Sequence, residues 1–422
     1  MAVHKDLQRV SLEPRPDWQA KAEALGFDWH SAPTPDDAVG TYWDESAYWR
    51  LTADEVDVLE AATTELHTMC LAAAEQAIGR RLLPHFGFDP KTIALIEDSW
   101  RRRDTGQPGL YGRFDLAFAG DGPPKLIEYN AETPTGLYEA AVVQWAWAEE
   151  RFPESDQFNS IHEGLVEAWQ KIREGLPQSD HEAAALHLTC LMPHAEDEGT
   201  LRYMLDTALE AGWTAKTIAA ADIGWSTPAD AAKGKESGGH FTDLQERQIS
   251  TLFKIVPWDW LLADDFGTHL ARSVLDGRLT VIEPAWKMVL ANKAILALLW
   301  EIYPDHPYLL PAFMDRAAFA AGTTIVAKPL LGREGANVSI GVIGEGGALQ
   351  GAPIASTAGP YGAEGYVYQA LAPLAVGVDP AGQTHHAVIG SWVIDGISRG
   401  IGIREETGLI THNRSRFVPH VF

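Results

Sequence analysis

The segment Tyr111-Gly-Arg-Phe-Asp-Leu-Ala-Phe-Ala-Gly-Asp-Gly-Pro-Pro-Lys-Leu-Ile-Glu-Tyr-Asn130 constrains the fold more than any other stretch. Two β-rich runs flank Asp121-Gly122, a favoured two-residue hairpin turn. With that turn Gly120 faces Pro123, Asp115 faces Glu128 and Arg113 faces Asn130; a four-residue loop keeps the same register. Side chains alternate along strands. One face then carries Arg113, Asp115, Ala117, Leu126, Glu128 and Asn130, and the other presents Phe114, Leu116, Phe118, Ile127 and Tyr129 to a core. A one-residue slip would part Asp115 from Glu128 and expose the apolar face, so that face helps set the register. Directly opposed carboxylates repel unless a cation lies between them. Asp, Glu and an Asn carbonyl are hard oxygen ligands of the kind magnesium takes, with phosphate oxygens completing its octahedron. Arg113 at the rim can hold a phosphate or carboxylate bidentately. The plainer reading, a solvent-facing hairpin with Arg113 neutralising its acids, fits these residues equally well.

The rest of the chain sets the frame. At 422 residues it is long enough for two or three domains, and 33 basic against 58 acidic residues give a net charge of −25. That balance disfavours nucleic acid and anionic membrane surfaces and is compatible with a cationic substrate. It is equally an ordinary solubility feature. Cys70 and Cys190 form no CxxC or Cys/His metal spacing, so zinc is not expected. Met1–Asp6 has no apolar signal region, and no uncharged apolar run approaches a membrane span. A cytoplasmic location with reduced thiols is expected.

Helical patterns run over 53–82, capped by Thr52, and over 137–150, 159–175 and 288–303. Residues 187–219 have a βαβ rhythm without a glycine fingerprint, and read as a generic α/β layer without its own chemistry. Residues 225–241 read as a loop, and 341–365 as a mobile loop between strands. The expected divisions are a mainly helical region (1–110), the hairpin with an α/β region (111–285), and a glycine-rich region ending in strands (286–422).

In that last region Lys328 ends the strand Ile325–Lys328, and Gly332-Arg-Glu-Gly335 follows as a flexible turn. A strand lysine beside such a turn can reach phosphate oxygens. No GxxxxGK[ST] loop is present, and alone the turn is better explained by an ordinary hairpin. Lys293 sits on the preceding helix, where a solvated charge is the simpler account. Gly365–Pro373 reads as a strand whose backbone, with Gln369, can meet adenine or simply lie in a core. Arg399, Arg404, Arg414 and Arg416 make the C-terminal end locally basic, suited to anions or to its own acids at 405 and 406.

Taken together, these pieces resemble the synthetase domain of glutathionylspermidine synthase and its stand-alone bacterial relatives, a family of ATP-grasp carbon–nitrogen ligases. The resemblance rests on Arg113-Phe-Asp115, Glu128-Tyr-Asn130 with the following Thr-Pro-Thr and Tyr-Glu-Ala-Ala, and Asn292-Lys293. It rests also on Ala327–Gly335, Tyr366–Gln369 and the ending from Gly402 to His420. It covers nearly the whole chain, with its members far apart but in order. It implies an α/β (α+β) architecture, an ATP-grasp fold with a pre-ATP-grasp-like α/β domain. It implies that Asp115, Glu128 and Asn130 hold magnesium as two ions, and that Arg113 stabilises the transferring phosphoryl group. Lys293 and Lys328 would contact ATP phosphates, Gly332 and Arg333 would belong to a closing lid, and Gln369–Leu371 would meet adenine. Arg404 carries over to substrate or phosphate, joining Arg113 and Arg333 as candidate catalytic residues. The bifunctional relatives carry an N-terminal amidase, for which the region before 110 is too short, so no hydrolase half is expected.

The function expected is an ATP- and Mg²⁺-dependent ligase joining a glutathione- or peptide-like carboxylate to an amine such as a polyamine, through an acyl phosphate. Small-molecule acid and amine substrates are the expected partners, without nucleic acid or membrane. The alternative is an ATP-binding protein of the same fold without turnover, a scaffold or sensor. A metal-free carbohydrate or peptide binder is a third reading, against which the two lysines and Arg333 argue.

Overall fold

In the computed structural model, which describes residues 7–31, 41–176, 185–227, 238–263, 265–413 and 415–422, helices pack between and around five sheets. After the short α1 (Trp18–Ala24) comes α2 (Ala53–Gly79), the long helix expected from residue 53. The Thr52 side chain accepts from the Glu55 amide and the Glu55 carboxylate accepts from the Thr52 amide, a capping box that satisfies two orphan donors. Val56, Leu59, Leu66, Cys70 and Ala73 are all buried, as the apolar stripe requires. α3 (Pro90–Arg101) is capped by Asp89 and leads to the hairpin. The expected helices over 137–150 and 159–175 are α4 (Gln144–Arg151), preceded by a π turn at Glu139–Val143, and α5 (Ile161–Gly175).

The hairpin lies in a six-stranded antiparallel sheet. Its strands are β19 (Arg416–Val418), β18 (Ile397–Glu406), β17 (Thr384–Ile394), β3 (Tyr111–Ala117) and β4 (Lys125–Asn130), in that order, with β16 (Ala375–Val378) also on β17. One sheet thus joins strands from either side of residue 286. Arg113 pairs with Asn130, Phe114 with Tyr129 and Asp115 with Glu128, the register expected. Beyond Asp115 the ladder shifts by one, so Leu116 faces Leu126 and Ala117 faces Lys125. This corrects the strand faces expected near the turn. The shift turns Leu126 into the core and leaves Ile127 on the cavity side. The strands also stop short of Asp121-Gly122, so that pair is not a two-residue hairpin turn but part of a longer connection.

Residues 187–219 form the expected βαβ unit: β5 (Leu186–Cys190), α6 (Ala195–Glu210) and β6 (Ala215–Ala219). They belong to a parallel sheet ordered β10 (Thr280–Ile282), β9 (Thr251–Lys254), β5, β6. α7 (Trp258–Leu261) and α8 (Asp265–Leu275) follow β9. Part of the loop expected at 225–241 lies outside the described residues. At its ends, β7 (Gly224–Ser226) and β8 (His240–Thr242) pair as a ribbon, which corrects the loop reading there.

A five-stranded antiparallel sheet ordered β11 (Ala312–Phe313), β15 (Tyr366–Ala370), β12 (Thr324–Pro329), β13 (Ser339–Val342), β14 (Ala355–Ser356) completes the frame around the site. β13 ends and β14 falls inside 341–365, so that segment is partly paired rather than a free loop. The helix expected over 288–303 is two helices, α9 (Lys287–Ala291) and α10 (Ala294–Ile302). The cause is Asn292, whose backbone is extended. Its side chain accepts from the Ala294 amide at 2.9 Å and donates to the Phe86 carbonyl at 2.9 Å, competing with the helical ladder. β1 (Gln8–Ser11), β2 (Ala47–Arg50) and β20 (His420–Val421) form a small sheet that ties the two ends of the described chain together.

Two large apolar clusters fill the molecule, one around α2, α9 and α10 and the other around α5, α6 and the parallel sheet. Cys70 and Cys190 are buried and free. Among the described residues no helix is long and apolar enough to cross a membrane.

Candidate active site

The hairpin, the C-terminal ends of β5 and β9, and the β12–β15 pair surround one cavity of about 270 Å³. Every residue singled out for metal, nucleotide or catalytic roles lines it: Arg113, Asp115, Glu128, Asn130, Lys293, Lys328, Gly332, Arg333, Gln369, Leu371 and Arg404.

Asp115 and Glu128 project side by side from paired strands, and each has found a cation. Arg113 grips Asp115 with Nε at 2.6 Å from Oδ1 and Nη2 at 3.1 Å from Oδ2, and its Nη1 donates to the Thr135 carbonyl. It lies flat because β17 carries Gly390 beneath it. A Cβ there would stand 2.7 Å from Arg113 Cδ. Lys293 Nζ meets Glu128 Oε2 at 2.8 Å, and Asn130 Nδ2 donates to Glu128 Oε1 at 3.0 Å. Burial opposes the charge on Glu128, but Lys293 and Lys328 outweigh it and hold the carboxyl down at about 2. Asp115 goes the other way. Burial pushes it up, Arg113 pulls it down, and the neighbouring Glu128 charge pushes it up again, for a net rise.

The break at Asn292 puts Lys293 where a continuous helix would not. Its amide donates to the Leu330 carbonyl at 3.0 Å and its Nζ to the Gly332 carbonyl at 2.7 Å, joining α10 to the glycine-rich turn. Lys328 Nζ donates to Gln369 Oε1 at 2.7 Å and to the Ile127 carbonyl at 2.8 Å. Burial lowers it to about 8. Gln369 in turn donates to the Leu126 carbonyl at 2.9 Å, so its side chain steadies Lys328 and the hairpin. The backbone of Gln369 sits between β11 and β12. An apolar slot opens beyond it, lined by Ile127, Leu310, Val326, Leu371, Ala372 and Leu374.

Arg333 crosses to α7. Its Nη2 and Nη1 bind Asp259 at 2.7 and 3.1 Å, and its guanidinium lies 5.9 Å over the Trp260 ring. Burial works against this charge, but Asp259 raises its pKa. Gly335 has φ +67°, and a Cβ there would fall 2.4 Å from the Thr411 carbonyl oxygen, so the turn packs tightly on the C-terminal segment. Arg404 donates Nε to the Ser415 carbonyl at 2.9 Å and Nη2 to the His412 and Asn413 carbonyls at 3.0 and 2.9 Å. Of the three described C-terminal arginines it is the one that reaches the cavity. Arg399 pairs with Glu167, Arg416 pairs with Asp44 and Glu405, and Arg414 lies outside the described residues. Of the two readings of that end, Arg416 on Glu405 follows the one in which the arginines meet the chain's own acids, and Arg404 faces the cavity.

Sequence reasoning missed an acidic group behind Arg404. Glu139 is fully buried; its Oε1 accepts from Trp29 Nε1 at 2.9 Å, and Oε2 has no partner among the described residues. Glu196 Oε1 is likewise buried without one. Burial first, then the Glu139 charge, push Glu196 up to about 8 against the pull of Arg404. Glu196 and Asp197 open α6 just after β5, and Asp197 lines the cavity. Open α/β sheets bind ligands at the carboxyl ends of their strands. The acidic run Glu196-Asp-Glu198 after the first strand of a βαβ unit was the available signal, and it corrects the reading of that layer as generic.

A family profile described as glutathionylspermidine synthase preATP-grasp matches residues 9–422. The chain belongs to the glutathionylspermidine synthase family. It is 38% identical over 423 residues to a Haemophilus influenzae protein whose name assigns it acid–amine ligase activity, covering 99% of this chain and 100% of that one. Trypanothione synthetase of Crithidia fasciculata is 25% identical, covering 84% of this chain and 53% of that protein. The bifunctional glutathionylspermidine synthetase/amidase of Escherichia coli is 26% identical, covering 70% and 48%. The chain thus spans about half the length of these two larger relatives. Membership of the glutathionylspermidine synthase family places it among acid–amine ligases. A glutathione synthetase-like effector from Globodera pallida shares the fold, with a TM-score of 0.54 over 97% of this chain and 98% of that one, at 10% identity.

The donor set suits a hard divalent cation. Two cross-strand carboxylates and an amide converge, and burial first and the Glu128 charge after it raise Asp115, a cost that an ion between the two acids would offset. Among the described residues no group of three or more His, Cys, Asp or Glu is placed to hold a metal, so an ion at this pair would take the rest of its shell from phosphate or water oxygens.

Proposed function

We propose that this member of the family is an ATP- and magnesium-dependent ligase. It joins a glutathione- or peptide-like carboxylate to an amine of the polyamine kind through an acyl phosphate. The observation that carries the reading is the convergence of Lys293 and Lys328 on Glu128, beside the Arg113–Asp115 pair, in one cavity.

In this reading the apolar slot at Leu371 takes the adenine, and Lys293 and Lys328 take the phosphates. Asp115, Glu128 and Asn130 would hold magnesium, which neutralises charge on the phosphate oxygens when bound. A substrate carboxylate oxygen attacks the terminal phosphorus, and ADP leaves. Arg113 faces the transferring group and stabilises its spread charge, an electrostatic contribution made by a preset donor. The amine nitrogen then attacks the acyl carbon, loses a proton, and phosphate departs as the amide forms. Asp197 lines the same cavity and gives a protonated amine an acidic neighbour, with Glu196 and Glu139 buried behind the cavity wall. The turn 331–337 closes the mouth and keeps water from the acyl phosphate.

The test is magnesium-dependent ADP release with ATP, glutathione and a panel of polyamines, omitting each component in turn. Release that needs both acid and amine is expected. Stabilisation by ATP and magnesium without release, across the panel, would favour the scaffold or sensor reading.

A further inference from the structure

Lys254 ends β9 directly beneath the cavity wall and is fully buried. Its Nζ has no hydrogen-bond partner among the described residues. It lies 5.1 Å over the Trp258 ring and 3.6 Å from Glu132 Oε2. The other charged groups around it are Glu283 and Lys287, and these are matched to each other. Glu283 also accepts the Leu110 and Tyr111 amides at 2.9 and 3.0 Å, so Glu132 is the acid left to Lys254. A buried ammonium with so few partners is a poor way to stabilise a core.

Glu132 does something else with the same oxygen. Its Oε2 accepts from the Trp258 amide at 3.0 Å, the first amide of α7. The next residue, Asp259, holds the Arg333 guanidinium with both oxygens, and Trp260 flanks it. The links Lys254, Glu132, Trp258, Asp259 and Arg333 therefore run from the parallel sheet to the glycine-rich turn across the mouth of the cavity.

We propose that Lys254 is a positioning residue for Arg333, acting through Glu132 and the backbone of α7 to fix Asp259 and so to aim the guanidinium. This rests on the ligase reading only where that reading makes Arg333 part of the turn that closes the cavity mouth. The buried lysine, by contrast, touches neither nucleotide nor substrate.

Arg333 supplies its own probe, because trypsin cuts after it only when the side chain leaves Asp259. Cutting after the exposed Arg316 serves as the internal reference. The proteins are wild type, Lys254→Met, the double variant Lys254→Met with Glu132→Met, and Asp259→Asn as the direct release. The double variant removes both buried charges together, so it leaves no unpaired buried charge and keeps the test readable if the single change loosens the fold. All three variants are expected to raise cutting after Arg333 by ~10-fold, with cutting after Arg316 within ~2-fold of wild type, as local opening requires. With ATP, magnesium, glutathione and spermidine, kcat is expected to fall ~10-fold while KM for ATP stays within ~2-fold. Cutting after Arg333 that rises in Asp259→Asn but stays at the wild-type rate in both Lys254 variants overturns the proposal. So does an equal rise after Arg316, which would mean general loosening. Absence of turnover with this substrate pair counts against the ligase reading, and the cleavage rates still decide the role of Lys254.

Discussion

Asp115 and Glu128 are cross-strand neighbours with opposite fates, one pushed up by burial and then by its partner's charge, the other held at about 2 by two lysines. If both serve a shared cation, Asp115→Ala or Glu128→Ala abolishes ADP release and leaves the far-ultraviolet circular dichroism unchanged. Near-wild-type turnover in Asp115→Ala would refute the metal assignment. Lys328 sets a pH limit. Burial lowers it to about 8, and only the ammonium binds phosphate, so charge is lost as pH rises through that value. kcat/KM for ATP, which reports the free enzyme, is expected to fall above about pH 8. In Lys328→Arg, which stays charged, that limb should vanish. The acid pair was legible in the sequence because strand periodicity is short and an apolar face backs it. Asp259, Glu139 and Gly390 were not, because each acts across a tertiary contact that no local pattern encodes.

At the scale of elements, the glycine-rich turn is the segment most exposed to a single change. Glu334, Gly335 and Asn337 all have left-handed backbones. Gly335 also has the Thr411 carbonyl 2.4 Å from where a Cβ would sit. Gly335→Ala forces either the turn or the C-terminal segment to move, beyond the ~1–2 kcal/mol that a left-handed L-residue costs. The expected result is a raised KM for ATP with little change in melting temperature, read by steady-state kinetics and thermal unfolding. A wild-type KM would mean that the turn adapts without disturbing the site. The capped start of α2 and the βαβ unit were readable from caps and periodicity. The break that delivers Lys293 was hidden, since 288–303 reads as continuous helix until Asn292 finds the Phe86 carbonyl.

Across the whole molecule, a buried charge network closes the fold. Arg9 of β1 binds Glu405 of β18 at 2.9 and 2.8 Å. Trp49 donates to the same carboxylate at 3.2 Å, and Arg416 approaches it at 3.4 Å. Glu405→Gln leaves two arginines facing a neutral group, and breaking a buried pair from one side costs ~3–5 kcal/mol. A lower denaturation midpoint is expected, and an unchanged midpoint would show that the arginines find other partners. Only the Arg416–Glu405 contact was within reach of the sequence, as one reading of the basic C-terminal end; Arg9 and Trp49 were not, because they lie at the other end of the chain. The six-stranded sheet has a consequence for how the protein is made. β3 has β4 on one edge and β17 on the other, and roughly 250 residues separate the hairpin from β17. At ~5–20 residues per second the ribosome needs on the order of ten seconds or more to deliver that strand. Until then the hairpin has an unpaired edge and an incomplete apolar backing, and Arg113 has no Gly390 to lie across. A nascent chain therefore carries its acid pair early but cannot use it, and in that interval holdase chaperones have a defined strand edge to shield.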